Sequence, residues 1–389
     1  GPMRDAGSDA KRNAGAPPPD AAPHARLDGA AGALWEPTWK LATRLSPLER
    51  SLLRTPQLRR LHYVVSGGAA RFATPYVHTR LQHVLGVFAL TAWLAPDRPD
   101  VRAAALLHDV GHPPFSHSLE ALPEVDHHRW TEERIRAEPI AGLLRDAGLD
   151  VEQVLALAEG HEPSVLKNRD GHLHLDHLDS LVRGGRVRGS LQVAPARLRE
   201  GLSADGPYVA CDGASAERLE ALIEQEAHLH VEPIDLGASA MLASLVRLLQ
   251  LADLVRIEEL PYQTDADLTA LLFAAEATRD EARHLWLRPW ALRQRRLGPE
   301  EALPDGAILA VKERLYLDLP YRSGEDATER EARRAGLEER LADLRGRYAV
   351  SWDPTDAPER SWTAALGPVV ADAPGVPDLG DGAGGSDAS

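Results

Sequence analysis

The chain has 389 residues, 43% of them hydrophobic, with 44 basic against 59 acidic side chains and a formal net charge of −15. That supplies apolar material for one large core or two ordinary ones, while the acidic balance excludes general nucleic-acid binding, because phosphate backbones would be repelled. The single cysteine, Cys211, excludes an intrachain disulfide and a cysteine-based zinc cluster; with no signal-like opening and no run of about 18 apolar residues, it predicts a cytoplasmic protein that does not span a membrane.

Residues 1–30, rich in Ala, Gly, Pro and Asp, have no apolar period and are expected to be disordered. Residues 31–293 are expected to form a helical body. Leu81, Val84, Leu85, Phe88 and Trp93 recur at helical spacing within 80–94. Residues 101–110 form an Ala/Leu-rich helix stopped by Gly111 and Pro113-Pro114. Short helices are predicted over 140–149 and 151–158, and a long apolar one over 238–260. The period changes near 307. Strands are predicted at 307–311, 314–319 and 349–352, with a charged helix over 328–348. The expected fold is mainly α, with a small C-terminal α+β appendage at 294–365 and a disordered tail at 366–389. Scarce lysine and abundant alanine suggest a GC-rich bacterial gene.

Twelve of the sixteen histidines fall between His62 and His177. Such clustering points to metal ligation or acid–base chemistry, since neutral imidazole ligates metals and titrates near neutrality. The densest stretch is His108-Asp-Val-Gly-His112-Pro-Pro-Phe-Ser-His117. Its His-Asp pair closes an apolar helix, where a buried carboxylate is costly without a balancing charge. Upstream lies His78-Thr-Arg80-Leu-Gln-His83-Val-Leu-Gly-Val87, and downstream Leu175-Asp176-His177-Leu-Asp179. Two histidines and two carboxylates suit an ion that prefers octahedral coordination, such as Mn²⁺, Fe²⁺ or Mg²⁺.

These segments, together with Thr55-Pro-Gln-Leu-Arg-Arg-Leu61, resemble the HD superfamily of metal-dependent phosphohydrolases, and in particular its deoxynucleoside triphosphate triphosphohydrolase branch. The resemblance covers roughly residues 45 to 260. It implies an HD-domain helical bundle, with His83, His108, Asp109 and Asp176 as ligands of one divalent metal. It implies that His112, His117 and His127 are catalytic, touching phosphate or moving protons, and that Arg80 binds phosphate. A second ion is considered at His127 or His128 with His161. Departures cluster at the sugar end. His177 stands where the family has Lys, Ser180 where it has Tyr, Gly184 where it has Asp, and Ser66 where it has Gln. His177, Ser180 and Ser66 are therefore expected to line a substrate pocket unlike the branch pattern. The segment Glu224–His230 is expected on a helix beside it. The expected partner is a small nucleotide or related phosphate ester, and the expected assembly a homo-oligomer. The alternatives are a dinuclear-iron HD oxygenase and a non-catalytic nucleotide-binding protein.

Overall fold

The Arg80–Leu94 helix starts at a capping box, in which Thr79 accepts from the Gln82 amide and Gln82 reaches back to the Thr79 amide. It is apolar nearly all round and therefore belongs inside the molecule. Leu81, Val84, Val87, Phe88 and Leu90 are fully buried, each contributing roughly 1.5–3 kcal/mol. The computed structural model describes residues 32–74 and 77–366, so the expectations for 1–30 and for the tail beyond Leu366 lie outside the described residues.

Pro99–Leu107 and Leu175–Arg188 pack on this helix, and Val151–Ala158 packs on Pro99–Leu107, all sharing one large core. An antiparallel hairpin, Ala33–Glu36 with Leu41–Arg44, closes one side and buries Trp39. A second hairpin, Leu202–Asp205 with Tyr208–Cys211, precedes the Gly213–Leu229 helix. A second core surrounds the Ala238–Leu251 helix. It includes Leu292, Ile308, Tyr348, Val350 and Trp352 from a three-stranded antiparallel sheet, ordered Leu292–Arg296, Gly346–Trp352, Ile308–Lys312.

The fold is mainly helical with small sheets, and several boundaries differ from expectation. The 101–110 helix runs Pro99–Leu107, and His108 caps it. The apolar helix expected to reach 260 stops at Leu251; Asp253 then takes φ +56°, and a 3₁₀ segment, Ile257–Tyr262, follows. Pro233–Leu251 is long and apolar enough to cross a membrane by length and composition alone, and it is more than half buried within the fold. Residues 314–319 form no regular strand. They belong to a strap pinned by isolated parallel bridges, His172 to Leu319 and Ala210 to Tyr321. The strap buries Leu317 and Leu319 in the main core. The charged helix ends at Leu341, and the last strand begins early, at Gly346.

The last described segment is held by a buried carboxylate. Glu281, on the Arg279–Leu287 helix, accepts from Trp352 Nε1, Ser361 Oγ, the amides of Trp362 and Thr363, and Thr363 Oγ1.

Candidate active site

Four side chains converge where the helices meet. His83 points inward from the Arg80–Leu94 helix, His108 and Asp109 follow the end of Pro99–Leu107, and Asp176 sits in the first turn of Leu175–Arg188. His83 Nε2 lies 3.3 Å from His108 Nε2 and 3.2 Å from Asp176 Oδ1. Asp109 Oδ2 lies 3.5 Å from each imidazole Nε2, and Asp176 Oδ1 lies 3.5 Å from His108 Nε2. Adjacent ligands of an ion with bonds of about 2.1 Å stand about 3 Å apart, so this donor set fits one divalent cation after a small contraction. His83, His108 and Asp176 already satisfy the spacing of a metal-holding group.

The far nitrogens are anchored. His108 Nδ1 donates to the Ala105 carbonyl at 2.9 Å. His83 Nδ1 donates to Asp179 Oδ2 at 2.9 Å. Such partners fix the tautomer and the ring orientation of a ligating histidine. Asp179 is itself fully buried and takes further donors from Trp39 Nε1 and Arg183. Arg183 in turn reaches Glu36 and Thr38 on the first hairpin. This close approach requires Gly86: a Cβ there would stand 2.1 Å from Asp179 Oδ1 and 2.3 Å from Arg183 Nη2.

Burial disfavours the imidazolium of His83, but bonds to Asp176 and Asp179 outweigh it and push the group up to about 9. To ligate, Nε2 must shed that proton, so metal uptake releases it. Burial would raise Asp109 and Asp176, yet the nearby imidazoles, Arg80 on Asp109 and Lys167 on Asp176 hold both well below the usual carboxylate range.

A second group adjoins the first. His112, His117 and His127 offer nitrogens within 4.8 Å of one another. His112 Nε2 lies 3.2 Å from Asp109 Oδ1, so Asp109 faces both groups. Glu120 Oε1 sits 2.7 Å from Nδ1 of both His117 and His127. Burial would raise Glu120, but these two histidines hold it well below its usual range. An ionised carboxylate can only accept, so each Nδ1 carries the proton and each Nε2 is turned toward the site. Burial pushes His112 and His127 down, which leaves them neutral at pH 7. His117 is half exposed, at the rim. Gly111 permits the approach: a Cβ there would stand 2.2 Å from the Thr131 amide nitrogen and 2.6 Å from the His127 carbonyl.

The loop between His112 and His117 is strained. Phe115 and Ser116 take φ +56° and +51°, a region that costs non-glycine residues of order 1–3 kcal/mol each. Arg60, from the Thr55–Leu61 segment, donates to the carbonyls of Val110 and His112 and fixes the loop's start. Arg80 is almost wholly buried. Its guanidinium donates to Asp109 Oδ2 at 3.1 Å, to Ser116 Oγ, and to the Ser66 carbonyl.

At the other end, the remaining expected residues share the Leu175–Arg188 helix. His177 lies 3.4 Å from Glu226 Oε2, and its Nδ1 lies 3.7 Å from Asp318 on the strap. Burial alone would lower His177; the two carboxylates push it up to about 10. Ser180 Oγ comes within 3.5 Å of His83 Nδ1. A Cβ at Gly184 would meet Arg188 Nη1 at 3.8 Å and Glu226 Oε1 at 3.9 Å, ordinary contact distances. A cavity of about 380 Å³ opens at the C-terminal end of this helix, lined by Arg186, Arg188, Leu229 and Ile234.

His127 therefore meets His112 and His117, not His161, which contacts Arg169, while His128 pairs with Glu159. Four contributors were not singled out by sequence reasoning: Asp179, Glu120, Lys167 and Asp318. Asp179 and Glu120 each stand three residues after a site residue, a spacing that could have found them. Lys167, whose ammonium lies 3.6 Å from Asp176 Oδ2, and Asp318 carry no local signal.

Residues 80–184 match the HD domain family model. That stretch of the chain is similar to an HD domain. It is 32% identical over 124 residues to the bovine deoxynucleoside triphosphate triphosphohydrolase SAMHD1, covering 26% of this chain and 20% of that protein. It is 34% identical over 111 residues to human SAMHD1, covering 23% and 17%. An uncharacterized Mycoplasma pneumoniae protein is 31% identical over 165 residues, 36% of this chain and 39% of that one. The chain thus matches well under half the length of these relatives. The fold is shared with a hypothetical protein of Aquifex aeolicus, at TM-score 0.57 and 21% identity over 83% of this chain and 96% of that one. A Bacteroides thetaiotaomicron phosphohydrolase superposes at TM-score 0.52, with 16% identity over 80% of this chain and 84% of its own.

Proposed function

We propose that the chain is a metal-dependent phosphohydrolase acting on a nucleotide or related phosphate ester. The observation that carries the reading is the convergence of His83 Nε2, His108 Nε2, Asp109 Oδ2 and Asp176 Oδ1 beside the His112, His117 and His127 group. Bound by those four atoms, a divalent ion such as Mn²⁺, Fe²⁺ or Mg²⁺ neutralises phosphate charge and lowers the pKa of water.

This chain's residues divide the remaining work. His117, held at Nδ1 by Glu120, hands a proton to the leaving oxygen as its bond to phosphorus breaks. Neutral His112 or His127 takes a proton from the water whose oxygen forms the new bond to phosphorus. Lys167 supplies positive charge beside Asp176, replacing on another segment the lysine expected at position 177. Arg80 positions Asp109 and reaches phosphate from behind that carboxylate. Ser66, Ser180 and Gly184, smaller than the Gln, Tyr and Asp of the branch pattern, leave the sugar end loose. One metal and one nucleotide-sized substrate per chain, in a homo-oligomeric cytoplasmic enzyme, complete the proposal.

The test is a panel of nucleotides and nucleoside phosphates, each assayed with Mn²⁺, Fe²⁺, Co²⁺ and Mg²⁺ and read by product mass. Metal-dependent release of phosphate, diphosphate or triphosphate supports the reading. Oxygen uptake with two irons per chain would favour the oxygenase instead, and tight nucleotide binding without turnover would favour a regulatory protein.

A further inference from the structure

The strained loop between the two catalytic histidines is fastened from a distant helix. Asp265 opens the Asp265–Ala274 helix, 150 residues beyond the loop, and its side chain is nearly buried. Its Oδ1 accepts from the Phe115 amide at 2.8 Å. Its Oδ2 accepts from the Val65 amide at 2.9 Å and from Arg71 at 3.1 Å. The carboxylate therefore ties the 64–66 segment to the 113–117 loop at the residue where the backbone turns left-handed. The same two segments meet again one residue on, where Ser116 Oγ donates to the Val65 carbonyl at 2.6 Å and accepts from Arg80 Nε. From Arg80 the hydrogen bonds run on to Asp109.

Residues held in sparsely populated backbone regions persist only where their surroundings over-determine them. Phe115 is buried against Phe72 and Trp286, which fixes its ring, and among the described residues only Asp265 takes its amide proton. Without that acceptor, the loop can relax toward ordinary backbone angles, and His117, two residues on, moves with it.

We propose that Asp265 is a positioning residue: its carboxylate holds the Pro113–Ser116 loop in its left-handed course and so sets His117 against His112, His127 and the reacting phosphate. This rests on the hydrolase reading, which makes His117 the proton donor, and it adds a residue outside the matched residues 80–184.

The metal-loaded full chain is tested by Asp265→Ala, which removes both acceptors, and Asp265→Asn, which preserves shape and one acceptor oxygen. Asp265→Ala is expected to lower kcat about 10²-fold, the usual scale for a misplacement of about 1 Å, with metal content unchanged and KM nearly so. Asp265→Asn, the variant expected to fold as wild type does, should fall in between. The discriminating arm is a cycle with His117→Ala. If Asp265 acts through His117, Asp265→Asn costs less than about twofold in that background, because groups acting as a unit are non-additive. Equal losses in both backgrounds, or loss of metal, would overturn the proposal. A second reading needs no substrate. The His117 ring resonances should shift in Asp265→Asn while those of His83 and His108 stay. Unshifted His117 resonances sink the positioning role even if the chain proves not to hydrolyse phosphate esters, whereas shifted resonances in an inactive wild type sink only the hydrolase reading.

Discussion

Adjacent residues in the first turn of the Leu175–Arg188 helix face two differently built surroundings. At its start, Asp176 joins His83, His108 and Asp109, and each imidazole is anchored at its far nitrogen by a buried partner within 3 Å. One residue on, His177 meets Glu226 and Asp318 at 3.4 and 3.7 Å, contacts brought from a separate helix and from the strap. Close, buried, doubly anchored groups define one geometry, and a metal and a phosphate need one. Longer, partly wet contacts from separate segments leave room for adjustment, which suits the variable part of a substrate.

Each prediction presses on that contrast. The largest effect belongs to the ligand that faces both groups: Asp109→Ala should abolish bound metal and turnover while far-ultraviolet dichroism keeps its helical signal. Wild-type metal content in the folded variant, read by elemental analysis, would remove Asp109 from the coordination shell. Next, His117→Ala should retain metal and lose at least about 10²-fold in rate; metal lost in step with activity would make His117 a ligand. Third, Asp179→Asn, which leaves the four donor atoms in place, should weaken metal affinity by about 10- to 100-fold, measured by competition with a chelator. An unchanged affinity would mean that the anchoring of His83 does not matter. The smallest effect is at the loose end. The ratio of kcat/KM for a good nucleotide substrate over its 3′-deoxy counterpart should stay within about tenfold, because Ser66, Ser180 and Gly184 leave few buried partners to strand. A preference near 10⁴ that disappears in Asp318→Ala would show that the strap has rebuilt the readout and that both ends are equally strict.

What was legible in the sequence follows the same division. The Arg80–Leu94 and Val151–Ala158 helices were predicted to the residue, because local period and capping decide them. The HD domain and the grouping of His83, His108, Asp109 and Asp176 came from short motifs. The 314–319 segment shows why other parts were hidden. Its alternating pattern reads as a strand, yet its partners are the residues before Asp176 and the second hairpin, and only tertiary contact brings Asp318 to His177. Lys167 was unreadable for the same reason, since nothing in its neighbourhood announces that its ammonium reaches Asp176. The Ala238–Leu251 helix stopped short of its apolar run because Asp253 turns left-handed, a local event that hydrophobicity does not encode.

The five donors gathered by Glu281 have a consequence for cooperativity. Four of them come from Ser361, Trp362 and Thr363, and the fifth from the central strand of the sheet. A buried carboxylate stripped of its donors costs about 1–3 kcal/mol, and more when ionised, so this segment cannot peel away as a frayed end usually does. The 361–363 segment, the Arg279–Leu287 helix and the central strand are coupled into one unfolding unit. The amides of Trp362 and Thr363 should then exchange with solvent as slowly as those of the Gly346–Trp352 strand, and a chain shortened to end before Ser361 should lose protection in the Arg279–Leu287 helix, far from the cut in sequence.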